Sequence, residues 1–338
     1  MKKKDKNEYP LVSIIIITYN DRKYIGNAIE SALGQTYPNC EIIVVDDGST
    51  DGTDQFIAKN FKDSVKYFWK ENGGQGSARS LGLKVAIGEY IQNMDSDDML
   101  LPDKIKNQVN YLKTHPEIAF VYGRTLCFFD DDYNSTWEHP CNKLACSGNL
   151  LCKILKYGNF VNNGQPLTRI SWVLKIHGFD STIRDADDYD FMLRLAYAGA
   201  IGHFLDEAVY LYRHHRVSID KTHMAARHSN FGQMQGEVYL WEKIYITMKN
   251  DSHPYLTLAK NRLGEVYFQL GRIQYSLGSR KKAIQNLHKG LRFNSNRWVY
   301  KMIIFTVSIF LPVLISHKIK IFLKLLLNQF HFRKKSNS

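Results

Sequence analysis

Two runs of β-branched residues, each ending in a polar cluster and followed by a helical pattern, constrain the fold of this chain more than any other feature. The first, "LVSIIIITYN" at residues 11 to 20, reads as a strand buried on both faces that ends in Thr18, Tyr19 and Asn20. Beyond it, Tyr24, Ile25, Ala28, Ile29 and Leu33 fall on one helical face, and Pro38 marks the end of that helix. "CEIIVVDDGSTDGT" repeats the scheme, a strand over Ile42 to Val45 running into Asp46, Asp47, Gly48 and Ser49, with a helix from about Thr53. Two such units in succession predict an α/β fold with a right-handed, doubly wound, mainly parallel sheet. Ligands of these sheets bind beyond the carboxyl ends of the strands, where Thr18, Asn20 and Asp46 stand.

A third strand, "VKYFWK", leads into the Gly-rich turn of "ENGGQGSAR" and a helix with Leu81, Val85 and Ala86 on one side. The strand "EYIQNM" then delivers Asp95, Asp97 and Asp98, so Asp95 and Asp97 are expected in the same crevice as Asp46. Asp47 and Gly48 read as turn and helix cap, Asp98 and Asp103 as local caps or surface charge. Between residues 127 and 163 no period is legible, and variable loop and helix are expected to shape a substrate pocket there. In "HGFDSTIRDADDYDFMLRLAYAG" a turn precedes a helix whose first turn is crowded by Asp185, Asp187 and Asp188, where the helix dipole favours anions. Asp185 and Asp190 read as solvated helix charge, and His214 as an exposed neighbour of His215.

After about residue 222 long helices are expected, with glycine and alanine spacing near 270 to 290 that resembles one tetratricopeptide repeat. One repeat cannot bury its own face, so a helical hairpin packed on the body is the expectation. The chain divides into a basic extension (1 to 10), the α/β domain (11 to 220), this helical extension (221 to 298) and a tail (299 to 338). From Gly271 onward there are 14 Lys or Arg and no acidic residue, whereas residues 1 to 270 hold 31 basic and 33 acidic groups. Residues 1 to 270 are therefore nearly neutral, and the overall charge of +12 comes from residues 271 to 338, the tail included. There, cationic and polar positions alternate with apolar ones at helical spacing, which favours an anionic lipid surface over nucleic acid; the competing reading is a helix docked on the body. The apolar run from 302 to 316 is short of the ~20 residues that span a bilayer. Five cysteines without CxxC pairs indicate neither a disulfide framework nor a zinc knuckle. The stretch after the basic N-terminus does not fit a signal peptide, so a cytoplasmic body, peripheral on a membrane, is expected.

Several carboxylates beside one arginine make a poor site for a bare anion and a good one for a hard divalent cation carrying a diphosphate. At this point the chain resembles the family 2 inverting glycosyltransferases of GT-A fold. The resemblance rests on "VSIIIITYN", "QTYPNCEIIVVDDGSTDGT", "ENGGQGSARSLGL", "GEYIQNMDSDDMLLPDKI", "GFDSTIRDADDYDFMLRLA" and "YRHHRVS", in that order over residues 11 to 218. It implies a UDP-type sugar-nucleotide donor, Mn²⁺ or Mg²⁺, and transfer of a hexosyl or N-acetylhexosaminyl group to a glycan or lipid-linked acceptor in surface polysaccharide assembly. It implies that Thr18, Asn20 and Asp46 hold the base and ribose, which agrees with a carboxylate accepting from an imide N–H. It further implies that Arg79 pairs with the diphosphate, with His215 or Arg213 alongside, and that Asp95 and Asp97 bind the metal and ribose. Asp188 would be the general base. The chain departs from the family pattern at Ser80, commonly Asn, and at Asp187, commonly Glu. A nucleotidyltransferase would put a basic Gly-rich loop after the first strand, where "TYNDRKY" stands, and "GGQGSAR" lacks the third glycine of a dinucleotide fingerprint. A sugar-nucleotide-binding membrane scaffold without turnover is the non-enzymatic alternative.

Overall fold

The structure is a computed structural model that describes residues 9–130, 132–183, 186–215 and 224–293. Among the described residues nine strands form one sheet: β1 Val12–Thr18, β2 Cys40–Asp46, β3 Lys66–Trp69, β4 Tyr90–Asp95, β5 Met99–Leu100, β6 Phe120–Phe129, β7 Asp132–Glu138, β8 Leu167–Arg169 and β9 Gly202–His214. Their order is β3-β2-β1-β4-β8-β6-β9-β5, with β7 paired to β6. The first four are parallel, as the sequence predicts; β8 runs antiparallel between β4 and β6, and β9 is parallel to β6. The result is a mixed, mostly parallel sheet of the GT-A kind.

Helices α1 (Ile25–Leu33), α2 (Thr53–Phe61), α3 (Gln75–Val85), α4 (Lys104–Thr114), α5 (Leu151–Tyr157), α6 (Ile170–Lys175) and α7 (Asp187–Tyr197) follow the strands. The period of two in β1 explains how it serves two layers. Ile14 and Ile16 pack with Ile25, Ile29 and Val109 on one face, while Ile15 and Ile17 pack with Ala78 and Leu193 on the other. Each fully buried isoleucine contributes roughly 1.5–3 kcal/mol, enough to fix which strands lie at the centre.

The layer between α3 and β1 is tight at Gly82, where a Cβ would lie 2.4 Å from Ile15 Cγ2. Alanine is the better helix former by about 1 kcal/mol, yet overpacking a stiff β-branched neighbour costs roughly 1–3 kcal/mol. Gly82→Ala is therefore expected to lower stability in a urea titration, and a midpoint at or above that of the parent would refute the contact.

Residues 127 to 138, expected to be irregular, continue β6 and turn back as β7. The period was hidden because the register slips near Gly123 and again between Phe128 and Phe129, and because much of this ribbon is half-exposed. Beyond the sheet come α8 (Met224–Asn250), α9 (Leu256–Ser276) and α10 (Arg280–Phe293). Gly271 meets Ala283 and Leu287, and Gly290 meets the carbonyl of Gly264, so the glycines let α9 and α10 approach closely as a hairpin. Buried Trp241 of α8 stands edge-on to Tyr189 of α7, 5.8 Å between ring centroids. The tail at 299 to 338 lies outside the described residues.

Candidate active site

Register brings the polar strand ends together, since Thr18 pairs with Asp46 and Ile17 with Asp95. They open on a crevice of about 450 Å³ bordered by Thr18, Asp21, Asp47, Asn72, Gly74, Gln75, Asp95 and Asp97. Thr18 Oγ1 is buried there without a hydrogen-bond partner, a polar atom awaiting a ligand. Asp46 stands behind the wall rather than in it. It is fully buried, with its oxygens accepting from the Ser49 N–H at 2.7 Å and the Tyr67 hydroxyl at 2.8 Å. Asn20, with φ of 56°, likewise ties the turn, accepting from the Thr50 N–H at 2.8 Å while its own N–H donates to Ser49 Oγ. Both residues fix the loop at 49 and 50 beside the crevice. Asp47, expected to build its own turn and cap the next helix, instead ties in the loop before α3, accepting from the N–H groups of Gly73 and Gly74 and from Lys70 at 2.6 Å, and it borders the crevice.

Arg79 projects from α3 beneath the crevice, with its side chain 2% exposed. It donates to Asp95 Oδ1 at 2.5 Å and to Asp187 Oδ2, so its guanidinium bridges the end of β4 to the start of α7. Burial opposes the charge on Arg79, and Asp187 and Asp95 more than restore it. Burial pushes the Asp95 carboxyl up and Arg79 pulls it back.

Asp97 Oδ2 accepts from His215 Nε2 at 2.9 Å, and this contact raises the His215 imidazole above its ordinary range. Arg213, expected beside the diphosphate, borders neither half of the crevice. Its Nε donates to the Asp97 carbonyl at 2.6 Å, and its guanidinium lies between the rings of Tyr24 and Phe128, clamping the loop after β4. Asp98 corrects the surface reading: it is buried, accepting from the Tyr210 hydroxyl and the Arg213 N–H, and burial pushes its carboxyl well up. Asp190 is corrected too, for it is fully buried against Arg194 rather than solvated. Asp185 lies outside the described residues. His214 is half-buried among aromatic rings, not simply exposed.

The crevice continues past Arg79 into a second half of about 550 Å³, which shares Gln75, Asp95, Asp98 and Tyr212 with the first. Asp188 faces it from the first turn of α7, accepting from the Tyr189 N–H at 2.7 Å and from Asn159 at 3.3 Å. Burial, and next the charge of Asp187, push Asp188 up to about 6. That leaves it ionised at neutral pH and more basic than an ordinary carboxylate, as a general base requires. Asn163 Nδ2 is buried nearby without a partner. Glu237 of α8 and Arg262 of α9 complete this half, so the helical region contributes to the site.

Sequence reasoning missed Asp21, whose carboxylate accepts from Ser96 at 2.5 Å, although it directly follows the first polar cluster. It also missed Asn159 and Asn163, which sit where no period is legible, Tyr212, although it opens the motif "YRHHRVS", and Glu237 and Arg262, which look like ordinary helix charge.

The conserved-domain pattern described as glycosyl transferase family 2 matches residues 13–163. An uncharacterized glycosyltransferase of Rickettsia typhi is 34% identical over 266 residues, 75% of this chain and 80% of that protein. Chondroitin synthase of Escherichia coli is 32% identical over 216 residues, 60% of this chain and 30% of the synthase. The chain also spans only 38% and 35% of the length of relatives in Rickettsia bellii and Rickettsia felis. Among solved structures, S. aureus TarS 1-349 in complex with UDP-GlcNAc has a TM-score of 0.53 at 19% identity, over 82% of this chain and 89% of that one. The mannosyltransferase PcManGT from Pyrobaculum calidifontis, in complex with GDP-Man and Mn²⁺, has a TM-score of 0.54 at 17% identity, over 90% of this chain and 81% of that one. At these identities the structural likeness speaks for the fold.

Proposed function

The chain belongs to glycosyl transferase family 2, and from that premise we propose that it moves a hexosyl or N-acetylhexosaminyl group from a UDP-type donor to an acceptor hydroxyl with inversion. The observation that carries the reading is the convergence of Asp95, Asp97 and Asp188 on one continuous crevice, with the carboxylate nearest the second half tuned to act as a base. The donor's base and ribose lie against Thr18 and the loop held by Asn20 and Asp46. The acceptor enters the second half, and Asp188 takes the proton from its hydroxyl as that oxygen attacks the anomeric carbon from the face opposite the diphosphate. Arg79 acts chiefly by holding Asp95 and Asp187 in place, and His215 stands beside Asp97 to meet negative charge on the diphosphate. In support, TarS binds UDP-GlcNAc and a chondroitin synthase is among the relatives, which favours a glycan acceptor in surface polysaccharide assembly.

The donor set suits Mn²⁺ or Mg²⁺. Asp95 and Asp97 each keep one carboxylate oxygen outside the bonds to Arg79 and His215. Among the described residues no group of three His, Cys, Asp or Glu could hold an ion by itself, so diphosphate and water oxygens would complete the shell. When bound, the metal would supply positive charge against the leaving diphosphate. Chelation, or Asp97→Asn, is expected to lower nucleoside diphosphate release from a panel of sugar nucleotides by roughly 10²-fold or more, with added Mn²⁺ or Mg²⁺ reversing the chelation alone. Release unaffected by both treatments would remove the metal from the reading, and no release from any donor would sink the glycosyltransferase assignment.

Among the described residues no helix is long and apolar enough to cross a membrane. The basic, apolar-interleaved tail at 299 to 338 supports a peripheral site of action on the cytoplasmic face of a membrane.

A further inference from the structure

The wall of the crevice includes Tyr212 of β9. It continues onto the outer ribbon of the sheet, where β7, β6 and β9 place alternate residues on one face. Cys127 pairs with Trp137 on one side and Tyr212 on the other, and Phe129 pairs with His214, so these side chains share that face. Arg213 and Phe128 take the opposite face, against Tyr24. The rings form a connected run. Tyr212 and His214 are 5.2 Å apart at their centroids, His214 and Trp137 5.3 Å, and Trp137 and Phe129 4.7 Å. Tyr212 borders both halves of the crevice, and Trp137, on the edge strand β7, is 36% exposed.

We propose that Tyr212, His214, Trp137 and Phe129 form an acceptor platform that holds the sugar units of an oligosaccharide behind the one being extended. The inference rests on the glycosyltransferase reading of the crevice and names its acceptor as a glycan chain. Three observations favour a saccharide as the occupant. The run is continuous with the half-crevice in which the acceptor hydroxyl must meet Asp188. Its rings are tilted at 33° to 77° to one another and packed into one aromatic surface, against which the C–H faces of sugar rings can lie. Finally, hydroxyl and imidazole groups punctuate the rings, which suits a ligand whose surface is half C–H and half hydroxyl better than a purely apolar one. Burial holds His214 below the ordinary imidazole range, so at neutral pH it presents an uncharged ring.

The test uses the full chain on an array of neutral and acidic oligosaccharides of graded length, beside donor hydrolysis measured without acceptor. Binding is expected to strengthen with chain length. Trp137→Ala is expected to weaken it roughly tenfold for the longer glycans, the scale of one ring contact, while disaccharide binding and donor hydrolysis hold. Trp137→Phe is expected to restore most of the loss. Binding independent of length, no binding to any glycan, or a Trp137→Ala protein indistinguishable from the parent would overturn the platform. Absence of donor hydrolysis in the parent would count against the underlying reading, and the array is scored separately from it.

Discussion

Asp188→Asn is expected to lower sugar transfer by roughly 10²–10⁴-fold, the range for loss of a positioned general base, while the protein stays folded. Asparagine keeps the oxygen that accepts from the Tyr189 N–H, and it removes a negative charge set beside Asp187. Melting at neutral pH should therefore be unchanged or slightly higher, which separates a chemical loss from a structural one. The same carboxylate sets a pH signature. Burial and Asp187 raise it to about 6, and a base works only when deprotonated, so kcat/KM should hold above that value and fall toward tenfold per unit below it. The acid limb should vanish from the residual activity of the variant. Transfer at near the parental rate, or an acid limb that survives the substitution, would remove Asp188 from the role.

Arg79→Leu is expected to destabilise the fold by about 3–5 kcal/mol, because it leaves the Asp187 carboxylate buried without its partner. Asp187 is only 1% exposed, and its second oxygen already lacks a hydrogen bond. Against a total stability of roughly 5–15 kcal/mol, such a loss would unfold much of the population on mild heating. Arg79→Leu combined with Asp187→Leu should recover a large part of it, since replacing a buried ion pair whole is far less harmful than halving it. Denaturant titrations of the two single variants and the double variant measure that coupling. Single variants as stable as the parent would show that the pair carries no such strain.

The parallel half of the fold was legible because its strands are buried on both faces and its helices keep an apolar stripe, so hydrophobic period alone reports them. The outer ribbon was not, since register slips and half-exposed aromatics erase a period of two. The strand-end residues Thr18, Asp95 and Asp97 were legible for the same reason as the strands. Asp46 and Asn20 were found as polar residues at the right strand ends, but a sequence does not say which side of a turn a side chain takes. Asp98 and Asp190 looked like surface charge because their partners, Tyr210 and Arg213 for one and Arg194 for the other, become neighbours only through the fold. Glu237 and Arg262 meet the crevice only after α8 and α9 dock, which local pattern cannot foretell.

The guanidinium that joins Asp95 to Asp187 gives the chemistry one fixed yardstick. Whatever sugar enters, the carboxylate at the end of β4 and the start of the helix bearing Asp188 keep their separation, because one buried side chain spans them. The asparagine-rich loop, the outer ribbon and the helical arm lie outside that span. A substitution in those parts is therefore expected to leave that separation as it is.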